Sequence, residues 1–72
     1  MRRYAIVVEK GPTSYGAYVP DFPGCVVAAE SRPEVLQLIR EAIEFHIETM
    51  REDGLAVPEP SSSAEYIEVA LA

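Results

Sequence analysis

Two side chains in this sequence are of types that often carry out chemistry, the single histidine His46 and the single cysteine Cys25. His46 stands between Glu44 and Glu48, but residues two apart on a helix do not face each other, so neither carboxylate can orient the ring. General-base catalysis by histidine needs such an orienting group beside it. His46 also falls at the centre of the apolar face of a predicted helix. We therefore interpret His46 as a hydrogen-bonded structural histidine rather than a catalytic one.

Cys25 follows Gly24 at the start of a predicted strand. It has no second cysteine, no helix N-terminus and no basic neighbour to lower the pKa of its thiol, so we expect a small core residue rather than a nucleophile. A single cysteine and a single histidine also exclude an internal disulfide and the usual Cys/His metal sites. A lone cysteine suits the reducing cytosol.

Carboxylates are the remaining candidates, with 12 acidic residues against 6 basic ones and a net charge of −6. A metal-dependent nuclease needs several carboxylates that converge on divalent cations. Here Glu9 lies at the far end of the first predicted strand, and the glutamates of the predicted helix point away from the sheet. We therefore predict no metal site, no cofactor and no enzymatic activity.

The acidic balance also bears on partners. A chain with this net charge is repelled by phosphate backbones, so direct binding to nucleic acid is disfavoured. A basic protein partner is the natural complement, because opposite fields steer association. The simpler alternative is that the charge keeps a small protein in solution.

A turn rich in proline and glycine separates two predicted strands at residues 20–24. Pro20 and Pro23 have no N–H to donate to a strand ladder, and Gly24 can adopt positive φ. The carboxylate of Asp21 is expected to accept backbone N–H groups within this turn.

The main element that positions these residues is a helix predicted from Ser31 to Gly54. Ser31 and Glu34 form a capping box, Pro33 suits the first turn, and Gly54 suits the residue after the last turn. The apolar face consists of Val35, Leu38, Ile39, Ala42, Ile43, His46 and Met50, with Leu36, Phe45 and Ile47 on its shoulders.

Acidic residues follow the polar side of the same helix at positions 34, 41, 44, 48 and 52. They are either a solvated face, with weak surface pairs such as Arg40 with Glu44, or a landing surface for a basic partner. If the face binds a basic partner, Glu41, Glu44 and Glu48 are the residues that we expect to face it.

Strands are predicted at residues 3–9, 15–19, 25–29 and 65–71, because these segments alternate or are rich in β-branched residues. With the helix they give a β-β-β-α-β order, which is a two-layer α+β fold in a single domain, residues 1–72. One sheet face stays uncovered, with Tyr4 and Tyr18 among its expected residues. Because a chain this short buries little surface, we expect a homodimer or higher homo-oligomer.

The apolar run near the N-terminus, residues 4–8, is too short for a signal peptide or a membrane span. The sequence therefore predicts a soluble, cytoplasmic chain that does not bind membranes.

Three ordered patterns resemble a known family: P-x-x-P-G-C at residues 20–25, E-A-I-x-x-H-x-E at 41–48 and G-x-x-x-P-x-P at 54–60. Together they resemble the HicB family of type II antitoxins over nearly the whole chain. The resemblance implies a partial ribonuclease H-like fold with a final strand. It also implies a partner, the HicA toxin, which is a small basic protein that resembles double-stranded-RNA-binding domains and cleaves messenger RNA.

The sequence departs from the family in several places. Ala29 and Glu30 stand where a glycine is usual, and Leu38 stands where an asparagine is common. Many members also carry a C-terminal helix-turn-helix or ribbon-helix-helix domain that binds DNA, and residues 1–72 contain none. We therefore expect no operator binding by this chain alone.

Three hypotheses follow for the function. The first is an antitoxin-like protein that binds a HicA-type toxin and neutralises it by covering its functional surface. The second is a free-standing oligomeric HicB-like module without a toxin. The third, which we favour least, is a reduced ribonuclease H-like nuclease.

Overall fold

The computed structural model describes residues 1–72 and contains three strands and one helix in the order β-β-β-α. The strands are β1 (Val7–Lys10), β2 (Tyr15–Tyr18) and β3 (Val26–Ala29), and the helix is α1 (Arg32–Glu52). The strands form one antiparallel sheet in the order β1-β2-β3. The predicted α+β fold, with one helix packed on a three-stranded antiparallel sheet, is confirmed.

The strand register divides the sheet into two faces. Val8 lies opposite Ala17, and Ala17 lies opposite Val27. This row is on the inner face, where Ala17 is buried and the two valines pack against the core. The helix lies over β2 and β3 and makes no close approach to β1. The inner side of β1 is therefore only partly covered.

The first strand begins later than predicted, at Val7 instead of Arg3. Val7 lies opposite Tyr18, the last residue of β2. Beyond that pair β2 leads into Pro20, which has no N–H to continue the ladder. Residues 3–6 therefore have no strand to pair with.

Local sequence signals determine both ends of α1. Ser31 is the N-cap, and its hydroxyl accepts the Glu34 N–H at 3.3 Å and donates to the Glu34 carboxylate at 2.8 Å. At the C-terminal end Gly54 has φ +70°, and the Leu55 N–H donates to the Met50 carbonyl at 2.8 Å. The second bond of this Schellman motif joins the Gly54 N–H to the Arg51 carbonyl at 3.1 Å. The predicted Ser31 cap and glycine end are both present, but the Glu34 carboxylate accepts the Ser31 hydroxyl instead of the Ser31 backbone N–H that a full capping box uses.

The core is small. It consists of six buried residues, Ala17, Val19, Phe22, Cys25, Val35 and Ile39. Phe22 and Cys25 come from the turn between β2 and β3, which is closed by a bond from the Val19 N–H to the Cys25 carbonyl at 3.2 Å. Leu38, predicted on the apolar face of the helix, is 39% exposed because it lies at the edge of that face, beyond the reach of the sheet.

The fourth strand expected at residues 65–71 does not form. No backbone–backbone hydrogen bond involves residues 56–72, and the apolar side chains of the segment are exposed, with Ile67 at 83%, Val69 at 73% and Leu71 at 94%. A strand exists only where a neighbouring edge accepts its backbone groups. In the single chain residues 65–71 lie beside no such edge, so they form no strand despite their alternating pattern.

The helix α1 is not apolar enough over a sufficient length to cross a membrane, and the chain has no other helix.

Candidate functional site

Five glutamates form a line along the solvent side of α1, and we call them the acidic stripe: Glu34, Glu41, Glu44, Glu48 and Glu52. All five are exposed. They recur at intervals of seven, three, four and four residues, which places them on one side of a helix. The buried residues Val35 and Ile39 occupy the opposite side, so the acidic stripe points away from the sheet.

No basic side chain forms an ion pair with the acidic stripe. The ion pair in this structure joins Arg2 Nη2 to Glu59 Oε1 at 2.9 Å and involves no residue of the stripe, and the expected pairing of Arg40 with Glu44 does not form. Glu41 accepts a hydrogen bond from the neutral amide of Gln37 at 3.2 Å. The stripe therefore presents to solvent five carboxylates that form no ion pair, with the basic residues Arg40 and Arg51 beside it on the same helix.

An apolar groove runs between the N-terminal segment and the flank of α1. It has a volume of about 780 Å³. Its apolar lining consists of Met1, Tyr4, Ile6, Leu36, Ile39, Ile43, Ile47 and Val57, and its charged lining consists of Arg2, Arg40, Glu44 and Arg51. The groove exists because α1 lies over β2 and β3, so one flank of its apolar face extends past the sheet.

The outer sheet face, turned away from the helix, is also open. Val7, Tyr18 and Val26 form one row across the three strands. Tyr18 is 40% exposed and Val26 is 67% exposed. The prediction of an uncovered face with Tyr18 on it is confirmed.

Tyr4 does not belong to the outer sheet face, contrary to the prediction. Its ring meets Phe22 edge to face, with the centroids 4.8 Å apart, and its hydroxyl donates to the Pro58 carbonyl at 2.6 Å. The reason is strand parity, since Tyr4, Ile6 and Val8 alternate onto the inner side. Tyr4 therefore ties residue 58 to the core.

Asp21 fixes the segment after the helix, and we call this contact the Asp21 clasp. Its carboxylate accepts the Ser61 hydroxyl at 2.8 Å and the Ser62 hydroxyl at 2.9 Å. It also accepts the backbone N–H of Ser61 at 3.2 Å and of Ser62 at 3.4 Å. These bonds, that of the Ser61 hydroxyl first, lower the pKa of the Asp21 carboxyl below its ordinary value.

The clasp differs from the prediction that Asp21 accepts N–H groups of its own turn. The turn satisfies itself with backbone bonds, such as the Phe22 N–H to the Val19 carbonyl at 3.1 Å. Sequence reasoning did not identify Ser61 and Ser62 as partners of Asp21. The run of serines at 61–63 is the one available signal, and it does not indicate a carboxylate 40 residues away.

His46 is half-buried, and its ring stacks on Phe22 with the centroids 5.9 Å apart and the planes at 29°. It makes no hydrogen bond to another residue, which differs from the expected hydrogen-bonded histidine. The contact that the His46 ring makes is therefore aromatic stacking on Phe22 instead of a hydrogen bond. No acidic or nucleophilic side chain joins it in a cluster.

The remaining residues singled out from the sequence lie in or beside the β2–β3 turn. Cys25 is a free, buried cysteine, and burial raises the pKa of its thiol. Gly24 has φ +85°, and Pro23 precedes it on the exposed side of the turn. No three His, Cys, Asp or Glu side chains come together as a group that could hold a metal ion.

Comparison with known protein families gives a match over most of the chain. Residues 4–70 match the family model of HicB-like antitoxins of bacterial toxin-antitoxin systems. A UPF0150 protein of Helicobacter pylori is 39% identical over 67 residues, which cover 92% of this chain and 93% of that protein.

Two further relatives are longer than this chain. A 14.9 kDa protein from the rep-hol intergenic region of Haemophilus phage HP1 is 41% identical over 64 residues, covering 89% of this chain and 48% of that one. Antitoxin HicB 2 of Photorhabdus laumondii is 28% identical over 68 residues, covering 93% of this chain and 49% of that one. The chain thus spans about half the length of these two relatives.

Proposed function

This chain belongs to the family of HicB-like antitoxins, and on that premise we propose that it binds a small basic toxin of the HicA type and neutralises it by occlusion. The chain acts without catalysis and without a cofactor, in the cytoplasm, as a homodimer or higher homo-oligomer. Occlusion needs only that the bound chain cover the surface with which the toxin contacts RNA.

The acidic stripe, whose carboxylates form no ion pair, is the observation that carries this proposal. An RNA-cleaving toxin needs a positive surface to hold phosphates, and a line of unpaired carboxylates presents the complementary field. Such fields raise association rates by roughly 10-fold to 1,000-fold in other systems. The carboxylates of the stripe and the phosphates of RNA are both negative. The antitoxin and the RNA substrate would therefore compete for the same positive surface of the toxin.

The acidic stripe and the outer sheet face contribute at different places. The stripe lies on the solvent side of α1, and the outer sheet face lies on the other side of the molecule, so one flat partner surface cannot cover both. We assign the electrostatic encounter to the stripe. The apolar row of Val7, Tyr18 and Val26 is available to a second contact that adds residence time.

A kinetic experiment tests the role of the stripe. The partner to be tested is a small basic protein encoded by a reading frame beside that of this chain, immobilised at low salt; the absence of such a reading frame would favour the module without a toxin. For the Glu41→Gln/Glu48→Gln variant we expect the association rate constant to fall about threefold to tenfold, with little change in dissociation. The dependence of the rate on salt should also weaken.

The matched control is Glu9→Gln/Glu30→Gln, which removes the same charge from exposed positions outside the stripe. It should change the association rate less than the stripe variant does. Equal effects from both variants would show that only the total charge matters and that the stripe has no specific role in association.

The alternative of a free-standing module without a toxin is favoured by one observation, the open outer sheet face, which self-association could use as well as a toxin could. Co-expression separates the two. An antitoxin relieves the growth arrest caused by the neighbouring basic protein and co-purifies with it, whereas a free-standing module does neither.

A further inference from the structure

Two apolar surfaces lack a packing partner in the single chain: the apolar groove and the C-terminal segment Glu65–Leu71. The segment alternates apolar and polar residues as a half-buried strand does, yet Tyr66, Ile67, Val69 and Leu71 are 73–100% exposed. The groove has eight apolar residues in its lining; Ile39 is buried at its base, Tyr4, Ile6, Ile43, Ile47 and Val57 are partly buried, and Met1 and Leu36 are exposed. We propose that residues 65–71 of one copy of this chain form a strand in the apolar groove of a second copy, and that the exchange is reciprocal. This proposal does not depend on the toxin.

The position of the groove is that of a missing strand. β1 is an edge of the sheet, with its outward N–H and C=O groups unpaired. The helix covers β2 and β3 but not β1. A strand beside β1 and its N-terminal extension would lie under the uncovered flank of α1, where Leu36, Ile43 and Ile47 line the groove.

The length of the extended segment agrees with the length of the groove along the helix. From Leu36 to Arg51 the helix rises about 22 Å at 1.5 Å per residue. An extended segment from residue 65 to residue 71 spans about 20 Å at 3.3 Å per residue. Ile67, Val69 and Leu71 would then all point to one face, toward the helix flank.

The charges are complementary as well. Arg40 and Arg51 stand beside the groove, and neither pairs with a carboxylate of its own chain. In the segment Glu65 lies on the same side as Ile67, Val69 and Leu71. Docking would bring Glu65 to the region of the two arginines.

The occupant is a second copy because the chain holds residues 58–62 in place and leaves the residues after them exposed. Arg2 pairs with Glu59, Tyr4 bonds to Pro58, and the Asp21 clasp holds Ser61 and Ser62. Beyond Ser62 no residue makes a hydrogen bond to the rest of the chain.

The overall shape leaves length beyond the helix. The molecule measures 52 Å along its longest axis against 26 and 20 Å across, and a 21-residue helix is about 32 Å long. Two copies related by a two-fold axis can fill both grooves at once.

Disulfide trapping tests the geometry. The variant Ile47→Cys/Val69→Cys places one thiol in the groove and one on the inward side of the segment. After mild oxidation we expect a covalent dimer on a non-reducing gel, at least tenfold more abundant than with either single substitution. Native Cys25 is 2% exposed and takes no part.

The matched control is Phe45→Cys/Val69→Cys. Phe45 lies on the opposite shoulder of the helix and is 70% exposed, so its thiol is more accessible than one at position 47. It should give no dimer above the level of the single substitutions. Equal dimer from both pairs, or a monomer with an internal disulfide, would overturn the proposal, the latter because the chain then fills its own groove.

A second measurement does not depend on oxidation. Val69→Asp puts a charge on the inward side of the segment, and Ala70→Asp puts the same charge on its outward side. Both positions are exposed in the single chain, so neither substitution disturbs folding. By sedimentation, Val69→Asp should raise the dissociation constant of the dimer at least tenfold while Ala70→Asp leaves it within threefold. A monomeric native chain, or equal effects of the two substitutions, would overturn the exchange. A monomer would also contradict the homo-oligomer proposed above, whereas toxin binding by a single chain would be unaffected.

Discussion

Phe22 is the side chain whose removal should most damage the fold. It is 3% exposed and lies between the ring of Tyr4, at 4.8 Å, and the ring of His46, at 5.9 Å. Through these contacts it joins the N-terminal segment, the β2–β3 turn and the helix. The core has only six buried residues, so few others can compensate.

The size of the effect follows from what Phe22→Ala removes. Truncation of a buried phenylalanine costs about 3–5 kcal/mol in the free energy of unfolding. A chain of this length has a total of roughly 4–11 kcal/mol at the usual value per residue. Phe22→Ala should therefore remove from about a quarter to all of the free energy of unfolding.

Phe22→Leu is the informative companion, because it keeps most of the apolar volume and removes both ring contacts. Aromatic pairs contribute about 0.5–1.5 kcal/mol each beyond their buried area. We expect Phe22→Leu to lower the free energy of unfolding by about 1–3 kcal/mol.

Urea denaturation followed by circular dichroism measures both variants, at two protein concentrations so that any effect of self-association is separated. If Phe22→Ala costs less than about 1 kcal/mol, Phe22 is not part of a packed core, and the account of the β2–β3 turn is wrong.

Three further predictions concern the residues that the structure singles out. The pKa of Asp21 is lowered by its serine donors, so the clasp stabilises the fold above the unfolded-state pKa of about 3.9 and is lost as pH falls through the lower folded value. In a pH titration by NMR the amide chemical shifts of Ser61 and Ser62 should change as the Asp21 carboxylate is protonated, and Asp21→Asn should abolish this change. A change that persists in the variant would show that another group causes it. Gly54→Ala, at φ +70°, should destabilise by about 1 kcal/mol, whereas Gly16→Ala, whose Cβ would meet only the Val27 carbonyl at 3.8 Å, should be neutral in the same thermal melt, and equal costs would contradict the capping account. His46→Leu should keep the chain folded within about 1.5 kcal/mol of the native stability and keep partner binding intact, and loss of binding with the fold retained would give His46 a functional role.

The features that could be predicted from the sequence are those set by neighbouring residues. The helix and both of its ends follow from Ser31, Glu34 and Gly54, which act within one turn of where they stand. The open outer face follows from alternation along the strands. These signals are local, so they do not depend on the rest of the fold.

The features that could not be predicted depend on contacts distant in sequence. The Asp21 clasp joins residues 40 apart, and nothing in either segment specifies the other. The segment 65–71 has the pattern of a strand, but a pattern does not supply the edge with which a strand must pair. The acidic stripe was visible in the sequence, whereas the absence of ion pairs along it is a property of the folded side chains.

Co-purification with a small basic protein encoded by an adjacent reading frame tests the central claim most directly. The two proteins are co-expressed with an affinity tag on the basic one, and the eluate is analysed by gel filtration with light scattering. We predict one complex that contains both chains, in cells whose growth arrest is relieved. If the basic protein elutes alone and growth stays arrested, the chain is not its antitoxin.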